Sequence, residues 1–353
     1  MLSGKRKPNY GGQDLEISWT DMNNEVPILG ILIINHNGKE WLPPLYESVR
    51  NNGYPGSRIY LVDNCSSDGS VDTTLAHYPE VSVIRMPENL GYCMAYNIAM
   101  DQAFADGCEW VIWANNDILL EADCLKELAR VAQNDPRIGV LGPAFLAWEG
   151  DDPNYYMVGN HPQAIPAMRS KSGEPIPVEW VEGSFLMVSR RCVESVGPLD
   201  PFLYFYWEET DFCRRARHQG WRVVLVPSAL ARHYAGGWSA HKEENRVSVN
   251  QLQSRNYYIY KLANPFQGMK RNFYEAVHLF VVTLRGCLFS HPHMARLHLR
   301  VFAGILGDLG IIYKKWKRDR GGKHPPSLRD GVSNERVKVI RRREPNGPRA
   351  ESL

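Results

Sequence analysis

Glu208, Glu209 and Asp211 lie within four positions of one another, directly after the largely aromatic run Phe202-Leu-Tyr-Phe-Tyr-Trp207. Carboxylates so close repel one another and cost desolvation energy unless a cation, a metal or a proton accounts for them. One reading is structural: acidic residues gather at the positive end of a helix, with Arg214 and Arg215 about one turn on. The other is chemical: a general base stands at the end of an aromatic wall, with Glu209, Asp211 and Glu208 as the candidates. Three further polar clusters carry donors and acceptors at short spacing: Asn35-His-Asn-Gly38, Asp63-Asn-Cys-Ser-Ser-Asp-Gly69 and Asn115-Asn-Asp117. Asp117 offers the carboxylate oxygens that Mg²⁺ or Mn²⁺ prefers, and His233 is a compatible further ligand. Asp63 can accept an N–H from a base. Each has a plainer alternative. Asp63 can cap its turn, Asp117 can cap a helix in the 118–133 region, and Asn89 with Gly91 can be an ordinary turn. A single histidine such as His233 is usually a satisfied structural group, and Asp68 reads as a loop acid.

The elements that would position these residues follow from periodicity. Ile28–Ile34 is a continuous apolar run and predicts a buried strand. Strands are also expected at Arg58–Val62, Val81–Ile84 and Trp110–Ala114. Helices are expected at Trp41–Asn51 (with Pro43 and Pro44 tolerable only in its first turn), Ser70–Ala76, Tyr92–Phe104 and Ala122–Gln133. This alternation predicts an α/β fold: a Rossmann-like, mostly parallel sheet flanked by helices, with ligands beyond the carboxyl ends of its strands. All three polar clusters stand there. From about residue 139 short strands alternate with Pro/Gly-rich loops: Gly139–Leu141, Tyr156–Val158, Pro177–Trp180, Phe185–Val188 and Trp221–Val226. Short helices are expected at Ser189–Ser195 and Asp211–Gln219, the second stopped by Gly220. Helical segments then follow at Glu243–Leu262, Arg271–Phe289 and Ala295–Trp316. The expected organisation is a loose segment over 1–25 and a catalytic domain over 26–245, divided into a nucleotide-binding half (26–120) and an acceptor half (121–245). A C-terminal helical extension over 246–318 and a basic disordered tail over 319–353 complete it.

The chain has 353 residues, 44% of them hydrophobic and 23% charged, enough for one large or two modest domains. Its net charge of +2 conceals an asymmetry, because Lys314–Arg343 holds twelve Lys/Arg against three Asp/Glu. The seven cysteines are scattered and form no CxxC, which argues against a disulfide framework or a zinc site and for a reducing compartment. No signal peptide or membrane-spanning run is read, so the expected location is the cytoplasm. The amphipathic 295–316 segment has two readings. It packs on the catalytic domain, or it lies on the inner face of the cytoplasmic membrane with its basic ends at anionic headgroups. No recognition motif or aromatic interleaving supports nucleic acid as a partner.

The clusters together describe glycosyl transfer from a nucleotide-activated sugar, with Asp63 on the base, Asp117 and His233 on a cation at the diphosphate and Glu209 on the acceptor hydroxyl. The motifs also resemble those of a known family in order, over about residues 28–238. Ile31-Leu-Ile-Ile-Asn-His-Asn-Gly38, Val62-Asp-Asn-Cys-Ser-Ser-Asp-Gly-Ser70, Asn89-Leu-Gly-Tyr-Cys-Met-Ala-Tyr-Asn97, Asn115-Asn-Asp117, Glu182–Arg191 and Trp207-Glu-Glu-Thr-Asp211 are similar to the segments of inverting GT-A glycosyltransferases of family 2. The rhamnosyltransferase-like and galactofuranosyltransferase-like members are the nearest in pattern. The resemblance implies a UDP- or dTDP-sugar donor, a divalent metal and a glycan or lipid-linked glycan acceptor. It also implies donor contacts from Asn35, Asn37, Asp63, Asn64, Asn89, Gly91, Asn97, Asn115 and Asn116. Two departures stand out: Asn115 replaces a common first carboxylate, and Glu209 stands where the usual base is Asp.

Overall fold

The computed structural model describes residues 26–154, 161, 164–170, 172–203, 206–234, 254, 258 and 338–340. The 1–25 segment, the Tyr156–Val158 strand and nearly all of the 246–318 helices expected above lie outside these residues. In chain order the elements are β1 (Leu29–Asn35), α1 (Leu42–Asn52), β2 (Ser57–Asp63), α2 (Ser70–His77), β3 (Val81–Arg85), α3 (Gly91–Ala105), β4 (Trp110–Asn115) and β5 (Ile118–Leu120). They continue with α4 (Cys124–Asn134), β6 (Ile138–Leu146), α5 (Ala164–Arg169), β7 (Ile176–Pro177), β8 (Phe185–Ser189), α6 (Arg190–Val196), α7 (Glu208–His218), β9 (Arg222–His233) and β10 (Lys338–Ile340).

One mixed sheet runs β10-β3-β2-β1-β4-β8-β6-β9-β5, with β7 added on β9. Strands β1, β2, β3, β4, β6 and β9 point the same way, while β5, β7, β8 and β10 oppose them. The order reverses between β1 and β4, which places the ligand crevice over their carboxyl ends. Asn35, Asp63, Asn115 and His233 all end strands on that edge.

Period-two alternation divides the core between two faces. Ile31 and Ile33 turn toward α1, α2 and α4, through Leu45, Tyr46, Val71, Leu125 and Leu128. Leu32 and Trp113 turn toward α3, α6 and α7, through Tyr96, Ala99, Cys192, Phe212 and Cys213. Helix boundaries follow local chemistry. The prolines of α1 fall in its first turn, and the left-handed Gly53 ends it, donating N–H to the Arg50 carbonyl. Ser189 caps α6 by accepting from the Cys192 N–H at 3.1 Å.

Four expectations change. The residues after Asp117 form the strand β5, paired with β9, so Asp117 caps no helix; α4 begins only at Cys124. The expected Trp221–Val226 strand extends to His233, passing a register irregularity against β6. The 177–180 strand shrinks to a two-residue pairing. Within the tail expected to be disordered, Lys338–Ile340 forms an edge strand on β3. Val339 and Ile340 are β-branched, and Ile340 packs on the core while Lys338 stays exposed at the edge.

Candidate active site

Two loops at the ends of β1 and β2 are stitched into one platform. Asn35, almost fully buried, donates to Ser66 Oγ at 3.1 Å and Ser70 Oγ at 3.0 Å, and accepts from Asn116 Nδ2 at 2.8 Å. Asn37, at φ 56°, donates its N–H to Ser66 Oγ and accepts from the Ser67 N–H at 2.8 Å. His36 Nδ1 lies 2.9 Å from the Asn64 carbonyl, and Asp68 accepts from the Lys39 N–H at 2.8 Å. Gly38 leaves room for this network, because a Cβ would collide with Asn116 Nδ2 and stand 2.7 Å from Asn35 Oδ1, so either amide would have to move. Asp63 is fully buried; it accepts from the Ser66 N–H at 3.2 Å and faces Arg85 Nε at 3.6 Å. Asn64 reaches across to the start of α3, accepting from the Leu90 N–H and donating to the Gly91 carbonyl. Asn89 accepts from the Gly91 N–H, and the left-handed Gly91, at φ 75°, begins α3.

At the end of β4, Asn115 accepts from the Tyr92 hydroxyl, and its Nδ2 lies 3.4 Å from His233 Nε2. Burial, with Tyr96 beside it, holds the Tyr92 phenol well above its ordinary value, so it stays a donor. Because β5 turns back along β9, Ile118 pairs with His233 and brings Asp117 Oδ1 to 3.2 Å from His233 Nε2. Asp117 and His233 are both nearly buried, and His233 Nδ1 has no hydrogen-bond partner among the described residues. A purely structural histidine would use both nitrogens. This one turns Nε2 toward a carboxylate, giving a nitrogen and an oxygen that a divalent ion could share, while among the described residues its Nδ1 lacks the outer partner that metal-bound histidines usually have. The pair fits a hard divalent ion as two protein ligands. Among the described residues no third His, Cys, Asp or Glu joins them, so the remaining positions would fall to substrate oxygens and water.

The acidic run forms the first turn of α7. It is entered through two consecutive left-handed residues, Tyr206 (φ 71°) and Trp207 (φ 74°). Such residues cost about 1–3 kcal/mol each and recur at functional sites. Packing holds them: Trp207 stacks on Tyr258 at 5.2 Å, and its carbonyl accepts from the Asp211 N–H. The three acids then diverge. Asp211 is buried and bound by Arg215 Nε at 2.8 Å, and Arg215 also donates to the carbonyls of Val196 and Pro198. Glu208 is 5% exposed, with Oε2 lacking a partner among the described residues. Burial, and then the Glu209 charge, push its carboxyl well up. Glu209 lies over Gly183, where a Cβ would meet its Cβ at 3.2 Å and its Oε2 at 3.4 Å. Burial raises its proton affinity as well. The 182–184 turn is tied to the cation pair's strand, because Ser184 O accepts from the Asn115 N–H at 2.9 Å.

Against known proteins, the Glycosyl transferase family 2 model matches residues 30–194. The N-acetylglucosaminyl-diphospho-decaprenol L-rhamnosyltransferase of Mycobacterium tuberculosis is 30% identical over 269 residues, covering 69% of this chain and 84% of that protein. The chain belongs to glycosyl transferase family 2. The dTDP-rhamnosyl transferase RfbF of Shigella flexneri is 24% identical over 240 residues, 67% of this chain and 77% of its own. The mannosyltransferase PcManGT of Pyrobaculum calidifontis, solved with GDP-Man and Mn²⁺, shares the GT-A fold at TM-score 0.51 and 14% identity, over 81% and 87% of the two chains.

Within this family 2 chain the structure separates the sequence-derived residues. Asn35, Asn37, Asn64, Asn89, Gly91, Asn115 and Asn116 build the strand-end platform largely by bonding to one another and to backbone. Asn97 lies apart from that platform: it is fully buried in α3, and its amide is used in both directions by the Leu199 backbone at 2.9 Å. Asp211, the second base candidate, is buried with its carboxylate bound by Arg215 Nε at 2.8 Å. Sequence reasoning passed over Tyr92, Arg85 and Glu182. It also missed the aromatic group Trp41, Trp148 and Tyr234 beside His233, with ring centroids 4.5 Å (Trp41–Tyr234) and 5.1 Å (Trp148–Tyr234) apart. Glu182 stood inside a segment already singled out, and its carboxyl next to a glycine was the available signal.

Proposed function

We propose that this glycosyltransferase is an inverting enzyme. It moves a hexose, or a deoxyhexose such as rhamnose, from a UDP- or dTDP-sugar to a hydroxyl of a glycan or lipid-linked glycan. The observation that carries this reading is the link between two chemistries across one turn. Glu209, with raised proton affinity, rests on Gly183, and the adjacent Ser184 holds the strand end that leads into Asp117. The nucleoside lies over the joined 35–38 and 63–68 loops, with Asp63 fixing the floor through Ser66 and Arg85. Asp117 and His233 hold Mg²⁺ or Mn²⁺, and when bound that ion supplies positive charge to the departing diphosphate. Glu209 accepts the proton of the acceptor hydroxyl, whose oxygen then attacks the anomeric carbon from the face opposite the nucleoside diphosphate. Gly91 opens α3, whose N-terminus favours negative charge near the donor.

The name of the Shigella relative favours dTDP-rhamnose as donor, and that of the mycobacterial protein favours L-rhamnose as the sugar and a diphospho-prenol-linked sugar as acceptor. A lipid-linked acceptor would bring the enzyme to the inner face of the cytoplasmic membrane as a peripheral protein. No helix among the described residues is long and apolar enough to cross a membrane. The test is nucleoside diphosphate release from UDP-glucose, UDP-galactose, UDP-N-acetylglucosamine and dTDP-L-rhamnose, with and without Mn²⁺ and a short-chain prenyl-diphospho-N-acetylglucosamine. Metal-dependent turnover with one donor supports the reading. Donor binding with no turnover under any combination would make the chain a nucleotide-sugar binder and overturn it.

A further inference from the structure

On the donor side, the edge of the sheet is closed by β10, a segment from the far end of the chain. Its register continues two rows across β2, β3 and β10. Leu61 pairs with Val83, and Val83 with Ile340; Asp63 pairs with Arg85, and Arg85 with Lys338. Directly paired residues on neighbouring strands point to the same face, and residues two apart along a strand share it. Both rows therefore lie on the face that packs α1 and α2, where Leu61, Val83 and Ile340 join the core. The first row is apolar and seats β10. The second, at the carboxyl ends of β2 and β3, is charged, with one anion and two cations in line. Asp63 is fully buried, and Arg85 Nε lies 3.6 Å from its Oδ2, while Lys338 is exposed at the outer end. The Met86 N–H donates to the Asp63 carbonyl at 2.9 Å and ties the end of β3 to the same residue.

We infer that β10 is part of the donor site, where it positions Arg85 against the carboxylate of Asp63. This deepens the glycosyl-transfer reading and rests on Asp63 forming the floor of the nucleoside site. The register acts in two ways. Like charges directly opposite on neighbouring strands repel, so Lys338 disfavours an Arg85 side chain turned to the open edge and favours one turned to Asp63. A strand with a free edge also leaves its outward backbone groups to water, and pairing with β10 removes that freedom from Val83, Ile84 and Arg85. With both effects gone, Arg85 leaves Asp63, and a buried carboxylate without its counter-charge is costly to keep. The turn that Asp63 anchors through the Ser66 N–H loosens with it. Arg85 and Lys338 are thus positioning residues that act on the donor through Asp63. A lysine that served only to blunt an exposed edge would act on solubility and leave donor affinity alone.

The test is calorimetric binding of dTDP, and of UDP, to the full-length protein in the presence of Mn²⁺, which needs no turnover. Lys338→Glu, an exposed substitution, should weaken the tighter-bound nucleotide by about threefold relative to wild type at low salt, with the difference shrinking at about 0.5 M salt. Lys338→Arg, which keeps the charge, should bind as wild type. Ile340→Asp unseats the strand and should weaken binding by about tenfold, as should Arg85→Ala. In an Arg85→Ala background neither Lys338→Glu nor Ile340→Asp should cost anything further, because both act through Arg85. Wild-type affinity in Lys338→Glu and Ile340→Asp, or undiminished further losses in the Arg85→Ala background, would overturn the role of β10. If Ile340→Asp does not fold, Lys338→Glu with and without Arg85→Ala decides alone. Asp63→Asn separates this role from the reading beneath it. Wild-type affinity in that variant would remove Asp63 from the donor site, whereas weakened binding there with wild-type affinity in the β10 variants would remove β10 alone.

Discussion

At the scale of single residues, the site depends on which polar groups are left unspent. Asn35, Asn37 and Asn64 give their hydrogen bonds to loop backbone and to neighbouring hydroxyls and amides, whereas His233 and Asp117 aim theirs at each other. If that opposition serves a cation, His233→Ala should raise the Mn²⁺ concentration for half-maximal turnover by at least about tenfold, the scale for losing even an outer-sphere partner. Asp117→Asn should do the same. Metal titration of activity checks this, and unchanged Mn²⁺ dependence in both would count against ligation. Residue chemistry also fixes a pH dependence of stability. Glu182 binds its proton more tightly folded, at about 7, than at its ordinary 4.5. Between these values the folded state holds more protons than the unfolded chain, so stability falls as pH rises through that window. The loss is on the order of 2 kcal/mol for this partly exposed group. Melting temperature should therefore decline from pH 5 to pH 7.5, and less steeply in Glu182→Gln.

At the scale of elements, α7 shows what the sequence could and could not reveal. Its acidic start and stop before Gly220 were legible, because helix ends obey local electrostatics and backbone sterics, although it begins at Glu208 and not at the expected Asp211. Which acid does chemistry was not legible. Asp211 and Arg215 satisfy helix spacing, but only the packed structure shows Arg215 gripping the 196–198 backbone as well. Asp211→Asn should therefore act on stability, since breaking a buried pair on one side costs about 3–5 kcal/mol. Denaturant unfolding should show that loss, while the folded fraction keeps kcat within a few-fold; a large kcat loss at wild-type stability would return Asp211 to the chemistry. The β-α alternation of residues 29–115 was readable for the same local reasons. Strand β5 was not, because three residues carry no period and only pairing with β9 makes them a strand. The same long-range pairing delivers His233 to Asp117, so these two proposed ligands could be named in the sequence but not joined there.

At the scale of the whole molecule, the reversal of strand order between β1 and β4 puts the donor platform on one side of the crevice. The antiparallel β8 then carries the 182–184 turn to that edge, opposite the start of α7. On the proposed reading, donor recognition and acceptor activation rest on different parts of one continuous sheet, so they should be separable by mutation. The most direct measurement is kcat for sugar transfer by Glu209→Gln, alongside donor affinity by calorimetry in the presence of Mn²⁺. Loss of kcat by about 10²–10⁴-fold with donor affinity unchanged is the predicted result. Transfer at the wild-type rate would contradict it.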